Sequence, residues 1–232
     1  MPRIARIVIP GLPHHITQRG NNRQDVFFVK DDYHTYLSIL KEESERFGAK
    51  IMGYCLMTNH IHLIAIPTNM DSLRKGIGKT HWRYTQYINT LHGRSGHLWQ
   101  NRFYSCALEE SHLIAAMAYI ERNPVRAKMV NRAWQYRWSS ANTHVNGKDE
   151  NGLLDLRLWN TLIGNADWAE HLIRNDDKNM LILLRSNTNR GRPLVSDTFV
   201  SKIEKIIGRR IRALPVGRPK KKGEGEERND KT

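Results

Sequence analysis

Two apolar, strand-like segments lie next to each other in the middle of the chain, at 50–57 and 60–66. Only Thr58 and Asn59 separate them, and so short a connection requires the two strands to pair antiparallel as a hairpin. Pro67 ends the second segment, because proline has no backbone N–H to donate to a neighbouring strand. The chain is therefore predicted to contain an antiparallel sheet.

The segments around this hairpin show alternating strand and helix periodicity. They are, in order, a strand at 14–19, a helix at 31–47, a helix at 71–91, a strand at 98–108 and a helix at 110–123. The last helix must end before Pro124, since the residue before a proline is pushed out of the helical conformation. The order strand, helix, hairpin, helix, strand, helix is typical of an α+β fold with helices packed on an antiparallel sheet.

This pattern ends at the polar, glycine-flanked stretch 146–152. Beyond it only helical periodicity is found, at 154–163, 168–174, 178–184 and 197–207. From residue 215 onward the chain is rich in Lys, Arg, Glu and Gly and nearly without apolar residues, a composition typical of disorder. We predict a domain at 1–145, a small helical domain at 153–210 as a candidate for DNA binding, and a disordered basic tail at 211–232.

Charge and cysteine usage narrow the class of protein. Lys and Arg number 37 against 23 Asp and Glu, a net charge of +14, which favours nucleic acid as a partner. Cys55 and Cys106 are the only cysteines, so a cysteine zinc module and a disulfide scaffold are excluded. No apolar run approaches the roughly 20 residues of a membrane span, and no signal peptide is visible. We expect a cytoplasmic, nucleoid-associated protein with no membrane partner.

His60 and His62 stand two positions apart on the second strand of the hairpin. Side chains at this spacing share one face of a strand about 7 Å apart, so both imidazoles can converge on one metal ion. Ile61 and Leu63 then face the opposite side, toward a core. The pattern alone is weak evidence for a metal site, because it also fits two structural histidines that are satisfied by hydrogen bonds.

Tyr119 lies on the last helix of the α+β part, four residues before Asn123. This spacing places the phenol and the amide on one helix face. Ala115 and Ala116, one turn earlier, are too small to cover the ring. Two interpretations stay open at this point: a nucleophile beside an oxygen ligand, or an aromatic core residue.

Five segments in order resemble the REP-associated tyrosine transposases, a branch of the single-tyrosine HUH transposases. They are 17–22 (TQRGNN), 57–63 (MTNHIHL), 98–103 (LWQNRF), 119–125 (YIERNPV) and 134–140 (WQYRWSS). The resemblance covers about residues 3–145. It implies a ferredoxin-like HUH domain with a central antiparallel sheet and packed helices.

The resemblance also implies a chemistry. His60 and His62 would bind Mg²⁺ or Mn²⁺ with Asn123 as third ligand, where many relatives carry a longer Gln, and imidazole ligands favour Mn²⁺. Tyr119 would attack phosphorus to form a 5′-phosphotyrosine and release a 3′-hydroxyl. The partner would be single-stranded DNA beside a hairpin, here a REP-like palindrome. The enzyme would need no nucleotide cofactor, in keeping with the lack of a GxxxxGK[ST] loop, and would act as a monomer or homodimer.

Candidate DNA contacts are basic or stacking residues in or near these segments, and two basic turns toward the C-terminus. They are Arg3, Arg6, Arg19, Arg23, Trp99, Gln100, Arg102, Arg192 and Arg218. For the arginines the alternative is a solvated surface charge or a plain basic tail, and for Trp99 a core position.

Three other functions remain open from the sequence. One is a DNA-hairpin-binding protein that keeps the fold without catalysis, and another is a replication initiator or relaxase of the same chemical class. The third is a metal-dependent nuclease with zinc at His60 and His62. That nuclease needs a further ligand, and of the adjacent His14 and His15 at most one can face inward.

Overall fold

The structure is a computed structural model that describes residues 6–164, 167–174, 177–208 and 210–212. Arg3 and Arg218, two of the predicted DNA contacts, lie outside these residues. Of the tail predicted at 211–232, only Ile211 and Arg212 are described.

Four strands and nine α-helices are found in these described ranges, with two single-turn 3-10 helices at Asn21–Arg23 and Ala133–Gln135. The strands are β1 (His14–Arg19), β2 (Ala49–Met57), β3 (His60–Pro67) and β4 (Tyr104–Ala107). The helices are α1 (Lys30–Phe47), α2 (Ser72–Leu91), α3 (Glu110–Glu121), α4 (Asn123–Arg126), α5 (Ala141–Asn146), α6 (Leu156–Leu162), α7 (Trp168–Ile173), α8 (Lys178–Arg190) and α9 (Asp197–Ile207).

The strands form one sheet in the order β2-β3-β1-β4, and every neighbouring pair is antiparallel. The β2–β3 hairpin turns at Thr58 and Asn59, as its two-residue connection predicts. Taken with α1 between β1 and β2 and α2 between β3 and β4, this is the ferredoxin-like topology. The predicted α+β fold is confirmed.

One face of the sheet packs against α1 and α2. Ile61 and Leu63 of β3 are buried there with residues from both helices, among them Tyr36, Leu40 and Ile77. Because side chains alternate along a strand, His60 and His62 must point to the other face. The prediction that His60 and His62 face the opposite side of the sheet from Ile61 and Leu63 is confirmed.

The other face of the sheet carries α3, α6, α7 and α8. Ile64 of β3 and Met117 of α3 belong to one apolar cluster with Trp159, Trp168 and Leu184. Three helices of the region predicted as a separate domain at 153–210 therefore extend the core of the sheet. Leu154 also pairs with Ile51, and Leu194 with Leu108, through single β-bridges.

Two elements differ by several residues from their predicted extents. The strand predicted at 98–108 is shorter, because Leu98 to Phe103 form a loop that meets the sheet through the Gly20–Trp99 bridge and through Gln18 Nε2, which donates to Asn101 O. The helix predicted to 184 continues to Arg190, because Thr188 is buried one turn beyond Leu184. It ends at Gly191, whose φ of +63° suits glycine.

A buried polar cluster fixes the C-terminal end of α3. The Glu121 carboxylate accepts hydrogen bonds from His144 Nδ1 at 2.6 Å, from Trp168 Nε1 at 2.7 Å and from the Ser140 hydroxyl. All four side chains are buried, so these hydrogen bonds replace the hydrogen bonds to water that the carboxylate loses on folding. Since Tyr119 precedes Glu121 by two residues, the cluster also fixes the helix that carries the phenol.

Across the described residues, no helix combines the length and the apolar character that a bilayer span demands.

Candidate active site

Two neighbouring strands present five polar side chains to the face of the sheet that α3 covers. In the antiparallel register of β1 and β3, Arg19 lies opposite His60 and Thr17 opposite His62. His15, two residues before Thr17, is on the same face of β1. The hairpin and the β1–β3 pairing therefore gather three histidines, a threonine and an arginine in one place.

Tyr119 of α3 lies over these histidines. Its ring centroid is 5.6 Å from that of His62 and 5.8 Å from that of His15, and both contacts are edge-on. The Tyr119 hydroxyl accepts a hydrogen bond from Arg185 Nε of α8 at 3.3 Å. The phenol is largely buried, but its hydroxyl is engaged by a polar group at the site and not by the apolar core.

These side chains line a cavity of about 300 Å³. Its lining residues come from β1, β3, α3, α4 and α8, and are His15, Thr17, Arg19, His60, His62, Tyr119, Asn123, Arg185, Thr188 and Asn189. None of these ten residues is an Asp or a Glu, and two are arginines. A cavity with cations and no carboxylate suits an anionic group such as a phosphate.

The histidines of the cavity are held as neutral imidazoles. Burial, with a smaller contribution from Arg19, lowers the pKa of His60 to about 4. Burial also holds the pKa of His62 well below its usual value, and the neighbouring His15 and His60 add to the shift. A neutral imidazole keeps one nitrogen lone pair, which is the form that binds a metal ion.

Each of the two β3 histidines uses one ring nitrogen inside the protein. His60 Nδ1 hydrogen-bonds Asn59 Oδ1 at 2.7 Å, and His62 Nδ1 hydrogen-bonds His15 Nε2 at 2.9 Å. In the described part of the chain, neither Nε2 atom has a hydrogen-bond partner. A ring fixed at Nδ1 with Nε2 unpaired is the usual arrangement of a histidine metal ligand.

Asn123, the predicted third ligand, lines the same cavity from the start of α4. Its Oδ1 accepts a hydrogen bond from Arg126 Nη2 at 2.8 Å, and its Nδ2 donates to Ile120 O at 3.0 Å. One lone pair of Oδ1 remains for a cation. Within the residues described, no group of three or more His, Cys, Asp or Glu side chains is placed to hold a metal. The donors that fit one are therefore two imidazoles and an amide.

His15 is the inward-facing member of the pair His14 and His15, as the alternation of a strand requires. Both of its ring nitrogens are occupied, since Nδ1 bonds Thr188 Oγ1 at 2.8 Å and Nε2 bonds His62. It therefore has no free nitrogen to complete a zinc site. This placement disfavours the zinc nuclease considered from the sequence.

A second, smaller cavity of about 200 Å³ adjoins the first and shares Thr17, Arg19 and Asn189 with it. Gln100 and Arg102, two predicted DNA contacts, line this second cavity, and Tyr104 stands beside them. The two cavities form one polar groove, hereafter the β1 groove, that leads away from Tyr119. Arg23, another predicted contact, is exposed in the turn after β1.

Two predicted contacts have structural roles, and for Trp99 this is the core position that the sequence left open. Trp99 is 7% exposed and its indole N–H donates to His81 O at 3.3 Å, so it is a core residue and cannot stack on an unpaired base. Arg6 packs its guanidinium 3.6 Å from the ring centroid of Phe103 and donates to Phe103 O. Burial, with the charge of Arg102 beside it, lowers the pKa of Arg6 to about 10.

Arg192 lies just beyond α8, where its backbone N–H donates to Asn187 O at 2.9 Å and closes the helix. It is half-buried and does not line either cavity of the β1 groove.

The sequence offered no signal for the residues that α8 brings to the site. Arg185, Thr188 and Asn189 all line the cavity, although they lie more than sixty residues after Tyr119. Trp82 was missed as well: it is 63% exposed on α2 and lines a separate cavity of about 380 Å³ with Gln86 and His97. An exposed tryptophan beside polar groups is the kind of surface on which an unpaired base stacks.

Comparison with known proteins gives a family and a fold. Residues 9–123 match the family described as transposase IS200 like. A REP-associated tyrosine transposase solved bound to a REP hairpin superposes with a TM-score of 0.51 at 18% identity, covering 63% of this chain and 86% of that one. This likeness shows a common fold.

Two further solved structures are more distant. A candidate transposase from Deinococcus radiodurans R1 has a TM-score of 0.37 at 16% identity, covering 55% of this chain and 92% of that one. A bacterial tRNA(His) guanylyltransferase-like protein in complex with GTP has a TM-score of 0.37 at 13% identity, covering 57% of this chain and 76% of that one. No curated protein sequence matches this chain.

Proposed function

Because residues 9–123 belong to the IS200-like transposase family, we propose that this chain cleaves and rejoins single-stranded DNA through a covalent bond to Tyr119. The observation that carries the proposal is the common cavity of the Tyr119 hydroxyl and the unpaired Nε2 atoms of His60 and His62. A phosphodiester in this cavity lies within reach of both a nucleophile and a metal-ligand pair.

The reaction assigned to Tyr119 is a transesterification. The phenolic oxygen attacks phosphorus, the bond from phosphorus to the 3′ oxygen breaks, and the products are a 5′-phosphotyrosine and a free 3′-hydroxyl. The reverse attack by a 3′-hydroxyl rejoins DNA, and since the number of phosphoester bonds is unchanged, no nucleotide cofactor is required. Arg185 Nε, which already donates to the phenolic oxygen, stabilises the negative charge that develops there.

His60 and His62 would hold a divalent cation through Nε2, with Asn123 Oδ1 as the third protein ligand. A bound Mn²⁺ or Mg²⁺ supplies Lewis-acid polarisation of a phosphate oxygen. All three protein donors are neutral, so they leave the charge of the cation uncompensated, and imidazole nitrogen favours Mn²⁺ over Mg²⁺. The negative charge then comes from the DNA, so metal and DNA should each strengthen the binding of the other.

The β1 groove is the path we assign to the single strand on leaving the cavity. Arg19 and Arg102 would neutralise phosphates, and Gln100 would offer hydrogen bonds. A hairpin beside the cleavage point is supported by the similar transposase that was solved with a REP hairpin. Tyr119 and the three proposed metal ligands of one chain line the same cavity, so the proposed chemistry does not depend on a tyrosine from a second subunit.

A labelled single-stranded oligonucleotide that contains a REP-like hairpin tests the proposal. Incubation with Mn²⁺ is expected to give a shortened strand, and a chelator is expected to stop cleavage while most hairpin binding survives. If the chelator does not reduce cleavage, a bound metal ion is not required for the reaction. Binding without cleavage under every metal condition would instead support the non-catalytic hairpin-binding protein.

A further inference from the structure

Three side chains from three different elements form a hydrogen-bonded row behind the cavity. Thr188 Oγ1 of α8 is 2.8 Å from His15 Nδ1 of β1, and His15 Nε2 is 2.9 Å from His62 Nδ1 of β3. The planes of the two imidazoles are within 7° of parallel. All three residues are buried, so water does not compete for these bonds.

The row allows only two arrangements of protons when each imidazole is neutral. In the first, His62 Nδ1–H donates to His15 Nε2, and His15 Nδ1–H donates to the Thr188 oxygen. His62 Nε2 then has a lone pair. In the second, every bond is reversed, the Thr188 hydroxyl donates to His15, and His62 carries its proton on Nε2. Only the first arrangement leaves His62 able to bind a cation at Nε2.

The charges of the cavity favour the first arrangement. His62 lines a cavity that also contains Arg19 and Arg185 and no carboxylate. A lone pair on His62 Nε2 is attracted to these cations, whereas an N–H at the same atom would direct its positive end toward them. His62 therefore keeps its proton on Nδ1, and the Thr188 oxygen is left to accept from His15 Nδ1–H.

We propose that Thr188 and His15 are positioning residues that hold His62 with its proton on Nδ1, so that Nε2 is ready to bind the cation. The inference rests on the metal-binding role that the proposed function gives to His62. It also means that α8, which lies outside the family match at 9–123, is part of the active site. Part of the region predicted as a separate helical domain thereby helps to position a proposed metal ligand.

The proton position can be read directly from the metal-free, full-length protein. Nitrogen-15 NMR of labelled histidine distinguishes a protonated from an unprotonated ring nitrogen. For His62 we expect a protonated Nδ1 and an unprotonated Nε2 in the native chain and in Thr188→Ser, which keeps the hydroxyl. Thr188→Val removes the acceptor and is expected to populate the reversed tautomer. A native His62 protonated on Nε2 would overturn the proposal.

A Mn²⁺ titration followed by electron paramagnetic resonance gives a second readout without DNA. Loss of a hydrogen-bond partner behind a metal ligand typically weakens metal binding about tenfold or more, which is the loss expected for Thr188→Val. Thr188→Ser should bind as the native chain does. Thr80→Val is the matched control, since Thr80 is also a buried helical threonine but bonds only Gly76 O.

If Thr188→Val has the native circular dichroism spectrum and melting temperature and still binds Mn²⁺ with native affinity, the proposal is wrong. If that variant does not fold, the native and Thr188→Ser spectra decide the question. Failure of the proposed function can be distinguished from failure of this inference. A native chain that forms no DNA adduct, but has His62 protonated on Nδ1 and Thr188-dependent Mn²⁺ binding, would keep the inference and reject the transposase chemistry.

Discussion

The ring of Tyr119 lies edge-on to the imidazole of His62, with centroids 5.6 Å apart and ring planes at 84°. This contact joins α3 to β3 and brings the proposed nucleophile and a proposed metal ligand to the same cavity. It depends on the buried Glu121, which ties the end of α3 to Ser140, His144 and Trp168. Both residues line one cavity, so no rearrangement of the sheet is needed to bring them together.

Replacement of Arg185 by alanine tests the cation at the Tyr119 hydroxyl. The guanidinium donates to the phenolic oxygen, so its loss removes stabilisation of the developing charge. Removal of such a donor typically costs about a hundredfold in rate, and single-turnover cleavage of a hairpin oligonucleotide measures the loss. Arg190→Ala, an exposed arginine on the same helix that lines neither cavity of the β1 groove, is the control. Faster cleavage by Arg185→Ala would mean that Arg185 restrains the tyrosine.

Arg102→Ala tests the assigned path of the single strand. Arg102 is exposed in the β1 groove, so its loss should weaken binding of single-stranded DNA without affecting the fold. If it neutralises one phosphate, the slope of log affinity against log salt concentration falls by about one. Arg46→Ala, on α1 at the opposite face of the sheet, serves as the control. An unchanged affinity and an unchanged slope would mean that the single-stranded DNA does not contact Arg102.

Buried histidines outside the metal-ligand pair set a pH dependence of stability. Burial lowers the pKa of His81 to about 3 and that of His14 to about 4, while an unfolded histidine titrates near 6.5. The unfolded chain thus binds more protons below that value. Stability is fully present above pH 6.5 or so, and falls as the pH drops toward the folded-state pKa values.

The size of this effect is roughly 2 kcal/mol for each such histidine between pH 7 and pH 5. Urea unfolding at the two pH values measures it. His81→Gln, which keeps a hydrogen-bonding group beside the Tyr36 hydroxyl, should show a smaller loss over the same interval. Equal stability of the native chain at the two pH values would contradict the burial of neutral imidazoles.

Local patterns in the sequence were sufficient for the central fold. The two-residue connection at Thr58 and Asn59 determines the hairpin, and the alternation of His60, Ile61, His62 and Leu63 determines which side chains face the helices. These features depend on residues a few positions apart, which is why periodicity reveals them. Pro124 likewise separates α3 from α4, because it has no N–H to donate to Ile120 O, and the Asn123 side chain donates to that carbonyl instead.

Features that depend on distant contacts were not predictable from the sequence. The sequence alone leaves Trp99 as a candidate for base stacking. Its burial in the core follows from contacts with His81, Tyr36 and Tyr84. The polar residues at the end of α8 led to a predicted helix end at 184. In the structure the helix continues, and Thr188 hydrogen-bonds His15, which lies 173 positions earlier in the chain. The sequence offers His15 only as a candidate zinc ligand, since nothing local shows that both of its ring nitrogens have hydrogen-bond partners.

The most direct test of the account is a search for the covalent link between protein and DNA. The native chain is incubated with single-stranded hairpin DNA and Mn²⁺, resolved under denaturing conditions, and digested for mass spectrometry. We expect a slowly migrating adduct whose nucleotide mass maps to Tyr119, its absence with Tyr119→Phe despite intact hairpin binding, and its presence with Tyr87→Phe. An adduct on another residue, or cleavage that persists in Tyr119→Phe, would contradict the assignment of Tyr119 as the nucleophile.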